Sequence, residues 1–195
     1  MIAEATRRSP LAHHSYRFEE LWRSSNRRLA IRELPFLTQV NLRADASLAE
    51  TRKAVAEAVG LDLPLDPNTA ASGLDRSALW LGPDEWLIVG PAGQAAVIQA
   101  SIRKAVQGSG SVVDVSANRT AISVQGKAAR ELLAFGCAID LDARAFGPGR
   151  CAQTMLAKAQ VIIQHLGAGP GFVVYVRASF ATYLADWLLD ASDAL

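Results

Sequence analysis

The sequence predicts an α+β fold, with mixed or antiparallel sheets that carry helices on one face and are built from repeated strand–strand–helix units. Three stretches carry that expectation. Val113 and Val115 alternate with Asp114 and Ser116, Ser116 to Asn118 are turn formers, and Thr120, Ile122 and Val124 alternate again, which predicts a hairpin. Gly126 breaks the second strand, Ala128, Ala129, Leu132 and Leu133 recur at helical spacing, and Gly136 is expected to give a left-handed stop. Ala78 to Val106 repeats this plan: Leu79 and Leu81, a Gly82-Pro83-Asp84-Glu85 turn, Trp86 to Val89, then Ala95, Ile98, Ile102, Ala105 and Val106 as a helix. The third stretch offers strands at Cys151 to Leu156, Ala159 to His165 and Phe172 to Arg177 before a final helix.

Taken in order, residues 1–28 form an N-terminal arm and 29–195 an α+β domain, in two halves of roughly 29–110 and 111–195. The arm holds Arg7, Arg8, Arg17, Arg23, Arg27 and Arg28 against Glu4, Glu19 and Glu20, and its apolar residues keep no helical or strand period. It reads either as a leader without fixed structure or as a docked segment. Leu11, Tyr16, Phe18 and Trp22 favour docking, because water is a poor place for them and interfaces favour Arg, Trp and Tyr together. The partner expected for them is another polypeptide rather than the chain's own domain. Phe36, Thr38, Val40 and Leu42 predict the first strand. Ser47-Leu48-Ala49-Glu50 reads as a capping box for a helix buried through Leu48, Val55 and Val59 and ended by Gly60. Leu61 to Gly73 reads as a loop. In the last helix, capped by Ser179, Phe180, Tyr183, Leu184, Trp187 and Leu188 mark the expected core stripe.

Composition narrows the function by exclusion. The 195 residues are 50% hydrophobic and 20% charged, ordinary for a globular chain, and a net charge of +1 gives no electrostatic reason to expect nucleic acid or a membrane surface. Arg7-Arg8 is followed by no apolar run, so the cytoplasm is the expected address. Cys137 and Cys151 are too far apart for a Cys-x-x-Cys motif and read as buried thiols. His13-His14 has no acidic or cysteine partner to make a metal site, and His165 has no carboxylate or nucleophile at readable spacing. Trp80 and Trp86 fit strand packing better than a stacking platform. Gly167-Ala168-Gly169-Pro170-Gly171 precedes a strand, not a helix, so it is a turn and not a phosphate loop. No catalytic residue and no metal ligand emerges.

Function comes instead from motif order. Asp114-Val115-Ser116, followed by Val124-Gln125-Gly126-Lys127-Ala128-Ala129, resembles the aspartate-valine-serine and glutamine-glycine-proline stretches of aminomethyltransferases, the folate-binding T proteins. Within that superfamily, Leu81-Gly82-Pro83-Asp84-Glu85-Trp86-Leu87-Ile88 and Arg8-Ser9-Pro10-Leu11 are similar to the gamma subunits of heterotetrameric sarcosine oxidases. The resemblance runs from about Leu74 to the C-terminus, plus the opening motif.

That resemblance implies a non-catalytic subunit of a complex that oxidatively demethylates sarcosine to glycine with O₂, giving H₂O₂ and formaldehyde or 5,10-methylenetetrahydrofolate. It implies alpha, beta and delta subunits as partners; these hold FAD, FMN, NAD, tetrahydrofolate and zinc, with no cofactor on this chain. The family's folate-binding glutamate closes a Gly-Tyr-Thr-Gly-Glu run, and this sequence has Leu166 to Gly171 there, without a carboxylate. Asp75 alone stands near the family's paired aspartates and is the one candidate folate contact. The family's separate barrel domain has no expected counterpart after the helix bearing Trp187. The alternative is a free-standing folate-dependent aminomethyltransferase or folate-binding protein.

Overall fold

In the computed structural model, which describes residues 7–167 and 169–195, two five-stranded sheets lie face to face. In chain order the elements are α1 (Ser15–Ser24), β1 (Ala30–Leu34), β2 (Thr38–Arg43), α2 (Ala49–Val59), β3 (Ala70–Ser72), β4 (Ser77–Gly82), β5 (Glu85–Gly90) and α3 (Ala95–Val106). They continue with β6 (Ser111–Asp114), β7 (Arg119–Gln125), α4 (Ala129–Ala134), β8 (Cys151–Leu156), β9 (Ala159–Leu166), β10 (Gly171–Arg177) and α5 (Ala181–Ser192). One sheet has the order β1-β7-β10-β9-β8 and the other β3-β4-β5-β2-β6, and every pairing among the described strands is antiparallel.

Each sheet carries its helices on the face turned away from the other. Val55, Val59, Ile98, Ile102 and Val106 of α2 and α3 pack on Val40, Leu42, Trp86 and Ile88. Leu132 and Leu133 of α4, Leu184 and Leu188 of α5 and Phe18 of α1 pack on Ile122, Ile163, Phe172 and Val174. Between the sheets, Leu79, Leu87 and Val89 meet Ala121, Ile162, Val173 and Tyr175. Strands buried on both faces lose clean alternation, which is why β10 reads as a nearly continuous apolar run and β9 keeps Val161, Ile162 and Ile163 together at its centre. A bridge between Thr69 and Arg150, with Cys151 N donating to Asn68 O at 3.0 Å, ties the two sheets together along one side.

The expected hairpin of Ser111 to Gln125 does not form. β6 pairs with β2, whereas β7 pairs with β1 and β10 in the other sheet. Period-two alternation identifies a strand without naming its neighbour, and here local bonds decide. Val115 N donates to Gln39 O at 2.8 Å, Gln39 N donates to Ser116 Oγ at 3.0 Å, and Gln39 Nε2 donates to Arg119 O at 2.8 Å. Asp114-Val115-Ser116 therefore holds the chain on β2 until it crosses between sheets. The opposite crossing is Pro35-Phe36-Leu37, which joins β1 to β2 with Phe36 at φ 61°. As a result, the division at 110/111 does not follow the sheets: β1 belongs with the later strands and β6 with the earlier ones.

Local departures have local causes. β1 and β3 fall where no strand was expected, and the first predicted strand is β2, starting at Thr38. The capping box is replaced by Ser47 N donating to Asp45 Oδ1 at 2.8 Å, so α2 starts one turn position later, Leu48 is half exposed, and Gly60 closes the helix in the left-handed region as expected. Gly136 is not left-handed; a Cβ there would stand 2.6 Å from the Trp187 ring, so the residue is small because α4 and α5 meet at that point. In α5 a 3₁₀ turn, Ala178–Phe180, precedes the helix in place of a Ser179 cap. The buried stripe is Ala181, Leu184, Ala185, Leu188 and Leu189, with Phe180 and Tyr183 at its exposed edge.

Candidate functional site

From Arg7 onward the N-terminal arm is part of the domain. Ser9 Oγ accepts from Leu11 N at 3.1 Å and donates to the Glu33 carboxylate of β1, which fixes the start of the arm and turns Leu11 inward. Leu11 keeps 1% of its surface and Phe18 5%, and both belong to the cluster with Leu29 and Ile31. His14 Nε2 and Arg17 Nη1 reach Asp186 Oδ1 of α5 at 3.1 and 2.5 Å. Burial pushes the Asp186 carboxyl up, but those two hydrogen bonds and charges outweigh it and hold the group below the usual carboxylate range. The expectation that Leu11 and Phe18 dock on a separate polypeptide is thus corrected. The apolar period looked broken because the chain turns at Ser9–His14 before α1 begins, and only Phe18 of the helix is fully buried. Met1–Thr6 of the predicted arm lie outside the described residues. Tyr16 and Trp22 differ from the other two: Tyr16 is 71% exposed, and Trp22 lines a groove of about 570 Å³ between α1 and β1 with Ser15, Glu19 and Arg32.

Among the described residues the groove is lined by two carboxylates, Glu19 and Glu33. Asp75 sits exposed in the β3–β4 turn, its Oδ1 3.9 Å from Arg76 Nε. The β9–β10 hairpin at Leu166–Gly171, of which Ala168 is outside the described residues, carries no carboxylate. The half-buried carboxylates among the described residues are already committed. Glu33 accepts from Ser9 and from Thr120 Oγ1, the latter at 2.6 Å, and Glu85 accepts from Asn41 Nδ2 at 2.7 Å and Arg43 Nη2 at 2.8 Å. Asp186 holds His14 and Arg17. Among the described residues, then, no half-buried carboxylate is left uncommitted to meet the donors of a pterin ring.

The remaining polar groups are structural in geometry. His165, 5% exposed, packs edge-on to Phe172 at 5.0 Å between ring centres and has Arg130 Nη2 3.1 Å from its Nε2. Burial, with the Arg130 charge adding to it, pushes its pKa below the ordinary imidazole value, which favours the neutral ring. Tyr175 Oη donates to Gln164 Oε1 at 2.9 Å between the sheets. Burial raises the Cys151 thiol to about 11, and its Sγ donates to Thr69 O at 3.1 Å; Cys137 is half-buried and raised by the same cause. Trp86 is core, with Nε1 donating to Pro64 O at 2.8 Å. Among the described residues no helix is long and apolar enough to cross a membrane.

A family model described as "Sarcosine oxidase, gamma subunit family" matches residues 43–194. The chain belongs to that family. The gamma subunit of Corynebacterium sp. (strain U-96) is 35% identical over 188 residues, covering 95% of this chain and 89% of the relative. The gamma subunit of Arthrobacter sp. is 35% identical over 187 residues, with the same shares. A chain of the heterotetrameric sarcosine oxidase of Corynebacterium sp. U-96, solved with pyrrole 2-carboxylate, superposes with a TM-score of 0.87 at 34% identity, covering 96% of this chain and 95% of that one. The aminomethyltransferase T of the glycine cleavage system from Bartonella henselae shares the fold at a TM-score of 0.59 and 18% identity, covering 83% of this chain and 45% of that one.

The motifs that carried the resemblance to the aminomethyltransferases and, within them, to the gamma subunits have structural jobs. Arg8 to Leu11 pins the arm, Asp114 to Ser116 makes a sheet crossing, and Leu81 to Ile88 forms the tight β4–β5 turn with Glu85 clamping β2. In Val124 to Ala129, Gly126 sits at φ 110°, where a Cβ would lie 2.2 Å from Arg28 O. Sequence reasoning missed the Arg130–His165 contact, because helix α4 and strand β9 carry no joint pattern.

Proposed function

We propose that this chain is the non-catalytic gamma subunit of a cytoplasmic heterotetrameric sarcosine oxidase, assembled with alpha, beta and delta subunits. In that assembly sarcosine is oxidatively demethylated to glycine with O₂, giving H₂O₂ and formaldehyde or 5,10-methylenetetrahydrofolate. FAD, FMN, NAD, tetrahydrofolate and zinc sit on the other subunits. The observation that carries the reading is that likeness to gamma subunits extends over nearly the whole chain, whereas each half-buried carboxylate is spent on holding the fold. The scaffold role follows: a rigid double sheet offers surface, and Tyr16 and Trp22 are its exposed and half-exposed aromatic residues on α1.

The test has two parts. Purified chain given sarcosine, tetrahydrofolate and O₂ shows no turnover, and co-expression with the other subunits yields a complex from which Trp22→Ala reduces recovery at unchanged melting temperature. Turnover by the isolated chain that is lost on Asp75→Ala would instead establish the free-standing folate enzyme.

A further inference from the structure

The β7–β10 register sets Arg119 directly opposite Arg177. Opposed residues project from the same face with Cβ atoms about 5 Å apart, so the two side chains emerge together. Two positions along their strands stand Ala121 and Tyr175, which belong to the cluster between the sheets. By the period-two rule the arginines share that inner face. They mark the place where it runs out from under the other sheet.

The row continues across the sheet. Val176 pairs with Val161, which brings Arg177 beside Gln160, and Gln160 pairs with Met155. Arg119, Arg177, Gln160 and Met155 therefore cross β7, β10, β9 and β8 in line, and with Gln153 and Thr154 they line a groove of about 450 Å³. Like charges placed directly opposite on a ladder repel. Burial, with the Arg177 charge adding to it, pulls the half-buried Arg119 guanidinium below its ordinary value, and Glu85 offsets this only in part. Glu85 is already taken by Asn41 and Arg43. Among the described residues neither arginine side chain has an ion pair or hydrogen bond of its own.

The geometry points to a docking row for an acidic segment of another subunit, whose carboxylates are held by Arg119 and Arg177 and whose backbone runs on past Gln160, Met155 and Gln153. Two guanidinium forks fixed on adjacent strands suit carboxylate oxygens, which accept in pairs. The span favours a polypeptide over a small anion. Three inter-strand steps of about 4.8 Å make roughly 14 Å, the length of about four extended residues, and a single ion would fill only the arginine end. This inference rests on the subunit reading above.

The experiment co-expresses wild type, R119K/R177K and R119E/R177E with the other subunits and measures complex recovery against salt, beside thermal melts of each isolated chain. The expected result is that charge reversal lowers affinity at least tenfold at low salt, that the lysine pair retains most of it, and that all three isolated chains melt alike. Wild-type assembly retained unchanged by R119E/R177E would overturn the inference alone. Wild type that never co-purifies would overturn the subunit reading and this inference with it. Two other occupants would also overturn it: citrate or phosphate that raises the melting temperature of wild type but not of the reversal, with assembly intact, or a dimer of isolated wild type abolished by the reversal.

Discussion

Replacing Phe18 with alanine separates an arm that belongs to the domain from one that waits for a partner. Phe18 is 5% exposed and Leu11 1%, and the two are the fully buried apolar anchors of residues 7–24. A buried Phe→Ala change costs about 3–5 kcal/mol when the site cannot collapse. Here a ceiling applies, because α1 can detach instead of leaving a cavity, and detachment forfeits the burial of Phe18 and Leu11 at about 1.5–3 kcal/mol each. A loss of about 3 kcal/mol follows for the isolated chain. In a domain of this length each kcal/mol moves the melting temperature by about 2–4 °C, so the variant should melt roughly 6–12 °C lower. Tyr16→Ala, on the same helix but 71% exposed, should stay within about 0.5 kcal/mol of wild type. Differential scanning calorimetry of the two variants checks both. A Phe18→Ala chain that melts like wild type but no longer enters a complex would refute the placement of α1 in this core.

Gly126→Ala should destabilise by about 2 kcal/mol or more in urea titrations, since it combines a φ of 110° with a Cβ 2.2 Å from Arg28 O, whereas Gly167→Ala, with nothing within 4 Å of its Cβ, should be silent. His165 supplies a pH dependence of definite sign. Its folded pKa is depressed by burial and by Arg130, so below the unfolded value of about 6.5 the unfolded chain binds more protons. Stability is therefore full above about pH 7 and falls as pH drops through 6.5 toward the folded pKa. Melts between pH 8 and 5 should show this slope in wild type and a shallower one in His165→Gln; equal slopes would remove His165 as the cause.

Elements bounded by strong local signals were legible in the sequence. The β4–β5 hairpin could be read from its Gly82-Pro83 turn, α3 from Ile98, Ile102 and Val106, and β8 to β10 from their apolar runs and the Gly-rich turn. What stayed hidden was long-range. Nothing in Ala30–Leu34 shows that its neighbour is β7, and Ser116 to Asn118 looks like a hairpin turn until Gln39 is seen bonding to both of its sides. The arm's docking was hidden for the same reason: Asp186 is 172 residues from His14 in sequence. For the site, the missing carboxylate at Leu166–Gly171 was readable, but the opposition of Arg119 and Arg177 follows only from the register.

The exchange of β1 and β6 between the sheets also governs how the chain can be made. On the ribosome, β1 emerges with its one strand partner among the described residues still about 90 residues away, since Ala30 pairs with Gln125. At about 5–20 residues per second that is a delay of roughly 5–20 s, in which Leu29 and Ile31 have no sheet to cover them. Five strands, β2 to β6, can close meanwhile as an inner unit of contiguous sequence, and the flanking strands then form around it. Nascent chains stalled when residues up to about 118 have left the ribosome should accordingly show the inner sheet folded and the first strand open to proteases, and an independently folding fragment would have to be cut at about residues 37 and 115 rather than at the midpoint.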